Sequence, residues 1–194
     1  MGELVVLRAI GLAGVADVAA VARATGLDVD DARARVAAAE GAELVAGTAR
    51  GYRLTGAGRE LVVGGLQTER AGLDPATTAD LYDRFVRIDR KFKKLVTDYQ
   101  LSNEANRFSW AVAGMSEVHP KARDLAGRAA ALVARLMPYG ARFDDAMARL
   151  ERGEEKYLVS MTVDSYHTVW FQFHEELIEM AGRTRSEEAA EGRA

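Results

Sequence analysis

Two histidines in the C-terminal part of the chain could bind a metal ion or a small molecule. His167 and His174 are seven residues apart, which is two helical turns, so they share one helix face at a separation of roughly 10 Å. That distance is too long for both imidazoles to bind one metal ion, and the nearby acids do not complete a ligand set on the same helix. His119 is the only other histidine. We therefore expect no bound metal and no other cofactor.

Aromatic side chains accompany these histidines, and two arrangements are open. In the first, aromatic rings form the walls of a ligand pocket and the imidazoles provide its polar groups. In the second, the rings form the packed core of a helical bundle and each histidine is satisfied by a hydrogen bond. The candidate pocket residues are Tyr99, Trp110, Tyr166, His167, Trp170 and His174, with Gln100 and Phe173 beside them.

The sequence contains no pattern typical of a catalytic site. It has no glycine-rich phosphate loop, no GxSxG motif and no cysteine nucleophile. Asp164, Ser165 and His167 are close in sequence, but this spacing is typical of a helix N-terminus and not of a catalytic triad. We therefore expect that the protein is not an enzyme.

Composition indicates a mainly helical protein without membrane spans. The chain has 194 residues, of which 48% are hydrophobic, with three prolines and no cysteine. No segment approaches the ~20 consecutive apolar residues that a membrane helix needs. Because a chain without cysteine suits a reducing compartment, we expect a cytoplasmic protein that does not bind membranes. The net charge of −3 provides no large positive surface for non-specific DNA binding.

Residues 1–67 follow the order helix, helix-turn-helix, hairpin and helix. Apolar residues at helical spacing predict three short helices, and Asp17 and Asp28 are expected to cap the second and third. Two short apolar stretches separated by small residues at 47–49 predict a hairpin, after which Thr55 caps a fourth helix. This order predicts a winged helix-turn-helix domain, in which the hairpin is the wing.

The remainder of the chain has the pattern of a helical bundle. Residues 68–79 are rich in turn-forming residues and predict a linker. Residues 80–183 have apolar residues spaced three and four apart, which favours an antiparallel bundle, and residues 184–194 form a charged tail that we expect to be frayed. The expected fold class is mainly α, with an N-terminal winged helix-turn-helix, a small β wing and an antiparallel helical bundle.

Three finer expectations concern the helices of the bundle. A helix with apolar residues from Val118 to Leu136 is expected to end at Pro138. A separate short helix is expected around Trp110. The last helix is expected to begin with Asp164 as its cap.

A winged helix-turn-helix usually binds DNA, and four arginines could make the contacts. Asp30 and Asp31 lie at the start of the third helix, where they either repel phosphates or act only as capping residues that complement the helix dipole. The candidate DNA-binding residues are Arg33 and Arg35 on the third helix and Arg50 and Arg53 on the wing.

The first helix of the bundle has a basic face. Arg87, Lys91 and Lys94 follow at i, i+4 and i+7, so they form one stripe that could contact a DNA backbone or an anionic ligand. Interleaved aspartates neutralise part of this stripe, which favours an ordinary solvated face.

The sequence resembles two known groups of proteins. Residues 24–45, ATGLDVDDARARVAAAEGAELV, and 51–62, GYRLTGAGRELV, are similar to the recognition helix and wing of MarR-type regulators. Residues 163–188, VDSYHTVWFQFHEELIEMAGRTRSEE, are similar to a helical region of actinobacterial proteins, where it follows a winged helix and is sometimes fused to enzymes resembling pyruvate, phosphate dikinase. The resemblance implies a transcriptional regulator that binds double-stranded DNA as a homodimer, with a bundle that dimerises and senses a small-molecule effector.

Two alternative functions are open. The first is a winged-helix interaction or regulatory module that does not bind DNA and acts on a partner enzyme of the phosphoenolpyruvate-utilising type. The second is a small-molecule-binding protein with an aromatic and histidine pocket in the bundle. A positive stripe that joins Arg33 to Arg50 favours the DNA-binding regulator, whereas a neutral or acidic face there favours the interaction module.

Overall fold

The computed structural model describes residues 2–184, which are mainly helical with one small antiparallel sheet. The chain divides after Gly72 into two compact units, and each has its own hydrophobic core. Apart from Thr184, the predicted tail at residues 184–194 lies outside the described residues. The expectation of a mainly helical fold with a small β element is therefore confirmed.

The first unit contains four helices and one hairpin in the expected order. Its helices are α1 (Gly2–Ala13), α2 (Val18–Thr25), α3 (Val29–Gly41) and α4 (Gly56–Ala71), and its strands are β1 (Val45–Thr48) and β2 (Gly51–Leu54). The side chains of Asp17, Asp28 and Thr55 accept hydrogen bonds at 2.7 to 3.1 Å from backbone N–H groups in the first turns of α2, α3 and α4. These three helix starts confirm the predicted caps.

A backbone bridge fixes the hairpin to the segment between α1 and α2. Strand β1 pairs with β2 in an antiparallel register that places Val45 opposite Leu54. In addition, Ala16 and Tyr52 exchange two backbone hydrogen bonds of 3.0 and 2.8 Å. Because Tyr52 and Leu54 point to the same side of β2, both pack into the core of the first unit. The sequence pattern gave no indication of the Ala16 bridge.

Two glycines allow this close approach. Gly51 has a φ of +130°, which side chains rarely adopt, and a methyl group there would overlap the carbonyl of Ala16. Gly58, in the first turn of α4, lies against the backbone of Leu44, so a methyl group there would overlap the Leu44 carbonyl oxygen. The hairpin therefore depends on the absence of a side chain at both positions.

The second unit consists of packed helices. They are α5 (Pro75–Leu101), α6 (Arg107–Leu132), α7 (Pro138–Glu151), α8 (Lys156–Val159) and α9 (Tyr166–Met180), with a 3₁₀ turn at Ala134–Leu136. Helices α5 and α7 each pack against both α6 and α9, so the four long helices enclose one apolar core. No helix between residues 2 and 184 combines the length and apolar character that a membrane span requires.

Residues 68–79, which were predicted as a linker, are mostly helical. Helix α4 continues to Ala71 and α5 begins at Pro75, so only residues 72–74 separate the two helices. Asp74 caps α5 by accepting a hydrogen bond from the N–H of Thr77 at 2.9 Å. Pro75 occupies the first helical position, where its missing N–H needs no partner. Residues 68–71 therefore end α4 and residues 75–79 begin α5, while the boundary between the two units falls within the predicted range.

Three helix boundaries in the second unit differ from the prediction. Helix α6 is continuous through Trp110 and contains Pro120, so there is no separate short helix before residue 118. Pro138 begins α7 instead of ending the helix before it. Ser165, and not Asp164, caps α9, because its hydroxyl accepts a hydrogen bond from a backbone N–H of the first turn at 3.2 Å.

Replacing Gly58 by alanine is expected to lower the free energy of unfolding by about 2 kcal/mol, because the new methyl group overlaps the Leu44 carbonyl. Gly56→Ala is the matched control. It lies two residues earlier in α4, and a methyl group there has no neighbouring atom within 4 Å. Urea denaturation followed by circular dichroism should separate the two variants. Equal stabilities would contradict the proposed role of this contact.

Candidate functional site

Helix α9 is surrounded by α5, α7 and α8, and this position buries polar as well as apolar residues. Gln172 and Glu176 are among the buried polar residues. The Arg142 guanidinium donates to the Asp164 carboxylate at 2.9 and 2.6 Å and to Gln172 Oε1 at 2.6 Å. Arg135 Nη1 lies 2.7 Å from Glu176 Oε2, with both side chains at most 5% exposed. These partners satisfy the buried groups, which indicates a structural role.

A groove of about 360 Å³ lies between α5 and α9. Its α5 side is one helical stripe, since its residues recur at intervals of three and four: Asp89, Phe92, Lys93, Val96, Thr97 and Gln100. Its α9 side consists of His167, Trp170, Phe171 and His174. The groove therefore combines aromatic walls with several polar side chains.

Asp89 forms the polar floor of this groove. It is 4% exposed and accepts a hydrogen bond from Trp170 Nε1 at 2.8 Å, while its second oxygen lies 3.0 Å from Lys93 Nζ. The Trp170 ring stacks on Phe92 at a centroid distance of 4.5 Å and on Phe85 at 5.1 Å. The carboxylate is therefore paired on both oxygens, and it fixes the orientation of the indole ring.

The Nδ1 atom of His167 is buried and has no hydrogen-bond partner among residues 2–184. Its ring stacks on Phe92 at a centroid distance of 6.2 Å. Burial lowers the pKa of His167, so the imidazole is neutral at pH 7 and offers one N–H donor and one lone pair. The His167 side chain lines the groove, so its neutral imidazole is a polar group that a ligand there could contact.

His174 is a core histidine. It is buried, its Nε2 lies 3.4 Å from the hydroxyl of Tyr82, and its ring packs on Phe85 at a centroid distance of 4.6 Å. His174 is therefore packed in the core and satisfied by a hydrogen bond, whereas His167 lines the groove as a candidate ligand-binding residue.

Three of the six candidate pocket residues lie together in the groove, and the other three do not. His167, Trp170 and His174 line it, and Gln100 joins them at one end. Trp110 is 50% exposed on α6, because the buried face of that helix passes through its neighbours Ala111 and Met115. Trp110 is therefore not a wall of this groove.

Tyr99 and Tyr166 are not among the residues that line the groove, and their hydroxyl groups contact other side chains. The Tyr99 hydroxyl donates to Glu155 Oε1 at 2.5 Å, and burial together with this carboxylate raises the pKa of Tyr99 to about 12. Tyr166 is completely buried, and its hydroxyl lies 3.3 Å from His119 Nδ1. Burial strongly raises the pKa of Tyr166. Both side chains therefore connect helices.

His119 lies apart from the other two histidines. Its Nε2 is 3.3 Å from Asp144 Oδ1, and burial lowers the pKa of its imidazole despite that carboxylate. Within residues 2–184, no three side chains of the types that bind metals lie close enough together to hold an ion.

The groove also contains residues that the sequence analysis did not select. Asp89 is one of the interleaved aspartates of the basic helix face, and Asp89, Lys93 and Phe171 were not predicted as pocket residues. The i, i+4 spacing of Asp89 and Lys93 predicts their ion pair. Nothing in the sequence predicts that Asp89 accepts a hydrogen bond from Trp170, 81 residues later.

The four candidate DNA-binding arginines lie on three elements of the first unit. Arg50 is in the turn between β1 and β2, and Arg53 is on the face of β2 that points away from the core. Both are exposed, and no ion pair within the described residues holds either guanidinium. Arg33 is paired with Asp30 on the same helix, and the guanidinium of Arg35 lies against Gly2. Arg35, Arg50 and Arg53 are therefore exposed without an ion pair among residues 2–184, and the last two of them lie on the hairpin.

Helix α3 presents small side chains to solvent. Its buried residues are Ala32, Val36 and Ala39. The opposite face is exposed and consists mainly of Ala34, Ala37, Ala38 and Gly41, with Asp30 at its N-terminal end. Alanine and glycine lack hydrogen-bonding side-chain groups, so this face offers little direct base recognition.

The basic stripe on α5 is largely neutralised. Lys91 is paired with Glu117, and Lys94 lies 2.5 Å from Asp98. Among residues 2–184, Arg87 has no such partner, and it lines a second groove of about 470 Å³ between α5 and α6. These pairs support the interpretation of the stripe as a solvated face.

Comparison with protein-family models, with curated proteins and with solved structures finds no match to this chain.

Acidification is expected to destabilise the protein in part through His167. Burial lowers the pKa of His167 in the folded state, so below pH 6.5 the unfolded chain binds a proton more readily and stability decreases. His167→Phe removes this contribution. The loss of unfolding free energy between about pH 7.5 and about pH 5.5 should therefore be smaller in the variant, as measured by urea denaturation. An identical loss in both proteins would contradict this assignment.

Proposed function

We propose that the first unit is a winged helix-turn-helix and that the protein is a cytoplasmic, MarR-like transcriptional regulator. The order of α1, α2, α3, β1, β2 and α4 supports this proposal. The isolated antiparallel bridge between Ala16 and Tyr52 pairs the segment before α2 with β2, as a short third strand would. The turn between α2 and α3 is tight, with Gly26 in the left-handed conformation at a φ of +70°. Helix α3 is the recognition helix of this arrangement.

The observation that supports DNA binding is the pair of unpaired guanidinium groups on the hairpin. Arg50 and Arg53 are exposed, and within the described part of the chain neither has a carboxylate partner. An arginine that is free of an intramolecular ion pair can bind a phosphate without first losing that pair. We therefore propose that the wing contacts the DNA backbone and contributes most of the affinity.

Helix α3 plays the smaller part in this proposal. Its exposed face lacks long hydrogen-bonding side chains near the centre, and Asp30 already binds Arg33. Methyl groups of alanine can contact the thymine methyl group, but they do not distinguish the other bases by hydrogen bonds. Sequence preference then depends on DNA shape and on the spacing of two half-sites.

The second unit serves for dimerisation and effector sensing in this proposal. A homodimer doubles the phosphate contacts, and two recognition helices ~34 Å apart can enter successive major grooves. The four long helices around one core support the assignment of this unit as a helical bundle.

One observation favours the alternative of an interaction module for a phosphoenolpyruvate-utilising enzyme. Asp28, Asp30 and Asp31 surround the N-terminus of α3, and Arg33 is neutralised by one of them. A face of this kind suits a basic protein partner better than a phosphate backbone. The two functions predict opposite results when the protein is mixed with DNA.

Arg50→Ala is expected to weaken binding to the DNA upstream of the protein's own gene and to reduce the slope of log K against log salt. One lost phosphate contact changes that slope by about 1, and a homodimer loses two such contacts. Fluorescence anisotropy over a range of salt concentrations measures both quantities. Arg53→Ala should act in the same direction, because its guanidinium is also exposed and unpaired.

Two control variants make this experiment specific. Arg152→Ala removes one positive charge from an exposed arginine of the second unit that is paired with Glu154, so it should leave the slope unchanged. Arg33→Ala tests α3 and should have less effect than Arg50→Ala, since Arg33 is paired with Asp30. If the parent protein binds no genomic fragment at low salt, DNA binding is excluded and the interaction module is favoured.

A further inference from the structure

We propose that the groove between α5 and α9 binds a small, uncharged molecule that has one aromatic ring and one hydroxyl group. This proposal depends only on the geometry of the second unit, so it can succeed or fail independently of DNA binding. Its evidence consists of the groove walls, the charge balance of the lining and the neutral imidazole of His167.

The walls favour an aromatic ring. Phe92 and Trp170 already stack on each other, and Val96 extends the apolar surface along α5. Phe171 lines the same groove and is 42% exposed, which is unusual for a phenylalanine next to a buried aromatic cluster. A ring that enters the groove removes this apolar surface from water and adds aromatic contacts. The volume of about 360 Å³ is sufficient for a one-ring molecule.

The charges in the lining favour an uncharged ligand. Asp89 and Lys93 form an ion pair, so their charges cancel. His167 is neutral at pH 7, because burial lowers its pKa. An anion or a cation in the groove would lose its hydration without gaining a counter-charge, and this loss costs free energy.

The imidazole of His167 favours a hydroxyl group on the ligand. A neutral imidazole has one donor and one acceptor, and the tautomer decides which ring nitrogen carries the proton. A hydroxyl group can donate or accept, so it forms a hydrogen bond with either tautomer. Thr97 and Gln100 lie on the same stripe of α5 and provide further hydrogen-bonding groups in the groove. The simplest molecule with these properties is phenol.

The chain contains its own reporter for this site. It has only two tryptophans, and Trp170 lines the groove whereas Trp110 is half-exposed on another helix. In a Trp110→Phe protein, all tryptophan fluorescence therefore comes from the groove. We expect phenol to change this fluorescence in a saturable manner. Benzoate, which is charged, and toluene, which lacks a hydroxyl group, should bind more weakly.

Variants of the groove test the proposal in the same Trp110→Phe background. His167→Phe removes the hydrogen bond and should weaken phenol binding by about tenfold, with little effect on toluene. Thr97→Phe places a ring in the groove from its exposed side and should abolish the binding of both molecules. Ser116→Phe adds the same ring at an exposed position on α6 and should leave binding unchanged.

Three results would overturn the proposal. They are the absence of a saturable signal with phenol, an unchanged phenol affinity in the folded His167→Phe protein, and an unchanged affinity in Thr97→Phe. Because Thr97 is exposed, its substitution tests the groove even if the His167 variant does not fold. Isothermal titration calorimetry without DNA confirms the affinities and keeps the result separate from DNA binding.

Discussion

The hydrogen bond between Trp170 Nε1 and Asp89 joins α9 to α5 in the apolar interior of the second unit. A buried carboxylate is costly unless both oxygens are paired, and here Lys93 binds the second oxygen. This interaction fixes the indole ring between two phenylalanine rings and thereby defines the floor and one wall of the groove. Gln172 and Glu176, which are also buried on α9, are paired as well, since Arg142 binds Gln172 and Arg135 binds Glu176. The neutral imidazole of His167 lines the groove and is the polar group that suggests a ligand.

The first unit is stabilised by different means. Its core consists of small and medium apolar residues, and its hairpin is fixed by backbone hydrogen bonds instead of ion pairs. Gly51 and Gly58 permit these backbone contacts because they have no side chain. As a result, the arginines of the hairpin are not needed for folding contacts, and they stay exposed. Substitution of exposed side chains on a hairpin of this kind costs little stability, which suits a surface that binds another molecule.

Local signals in the sequence predicted local structure well. The caps at Asp17, Asp28 and Thr55 were predictable because each begins a helix through a hydrogen bond within one turn. The division between the two units falls within the predicted linker range, but most of that range is helical. Asp74 and Pro75 favour a turn as well as the first turn of a helix, and only packing of the following apolar stripe decides between the two. The groove between α5 and α9 was predicted only in part, because the sequence indicates local spacing but not contacts between distant residues. The i, i+7 spacing of His167 and His174 defines one helix face, but the partner face on α5 depends on contacts between residues about 80 positions apart.

The neutral face of α3 and the exposed arginines of the hairpin together constrain how the first unit could select a DNA site. Phosphate contacts fix position on the duplex but do not discriminate between bases. If affinity depends on such contacts, preference for a DNA site comes from the distance between the two DNA-binding surfaces of a dimer, which must match the spacing of two half-sites. In that case, a ligand in the second unit acts only if it favours one arrangement of the subunits over another, because a ligand with equal affinity for both shifts nothing. The groove meets a precondition for this, since it lies between two long helices, and a ring inserted there contacts both.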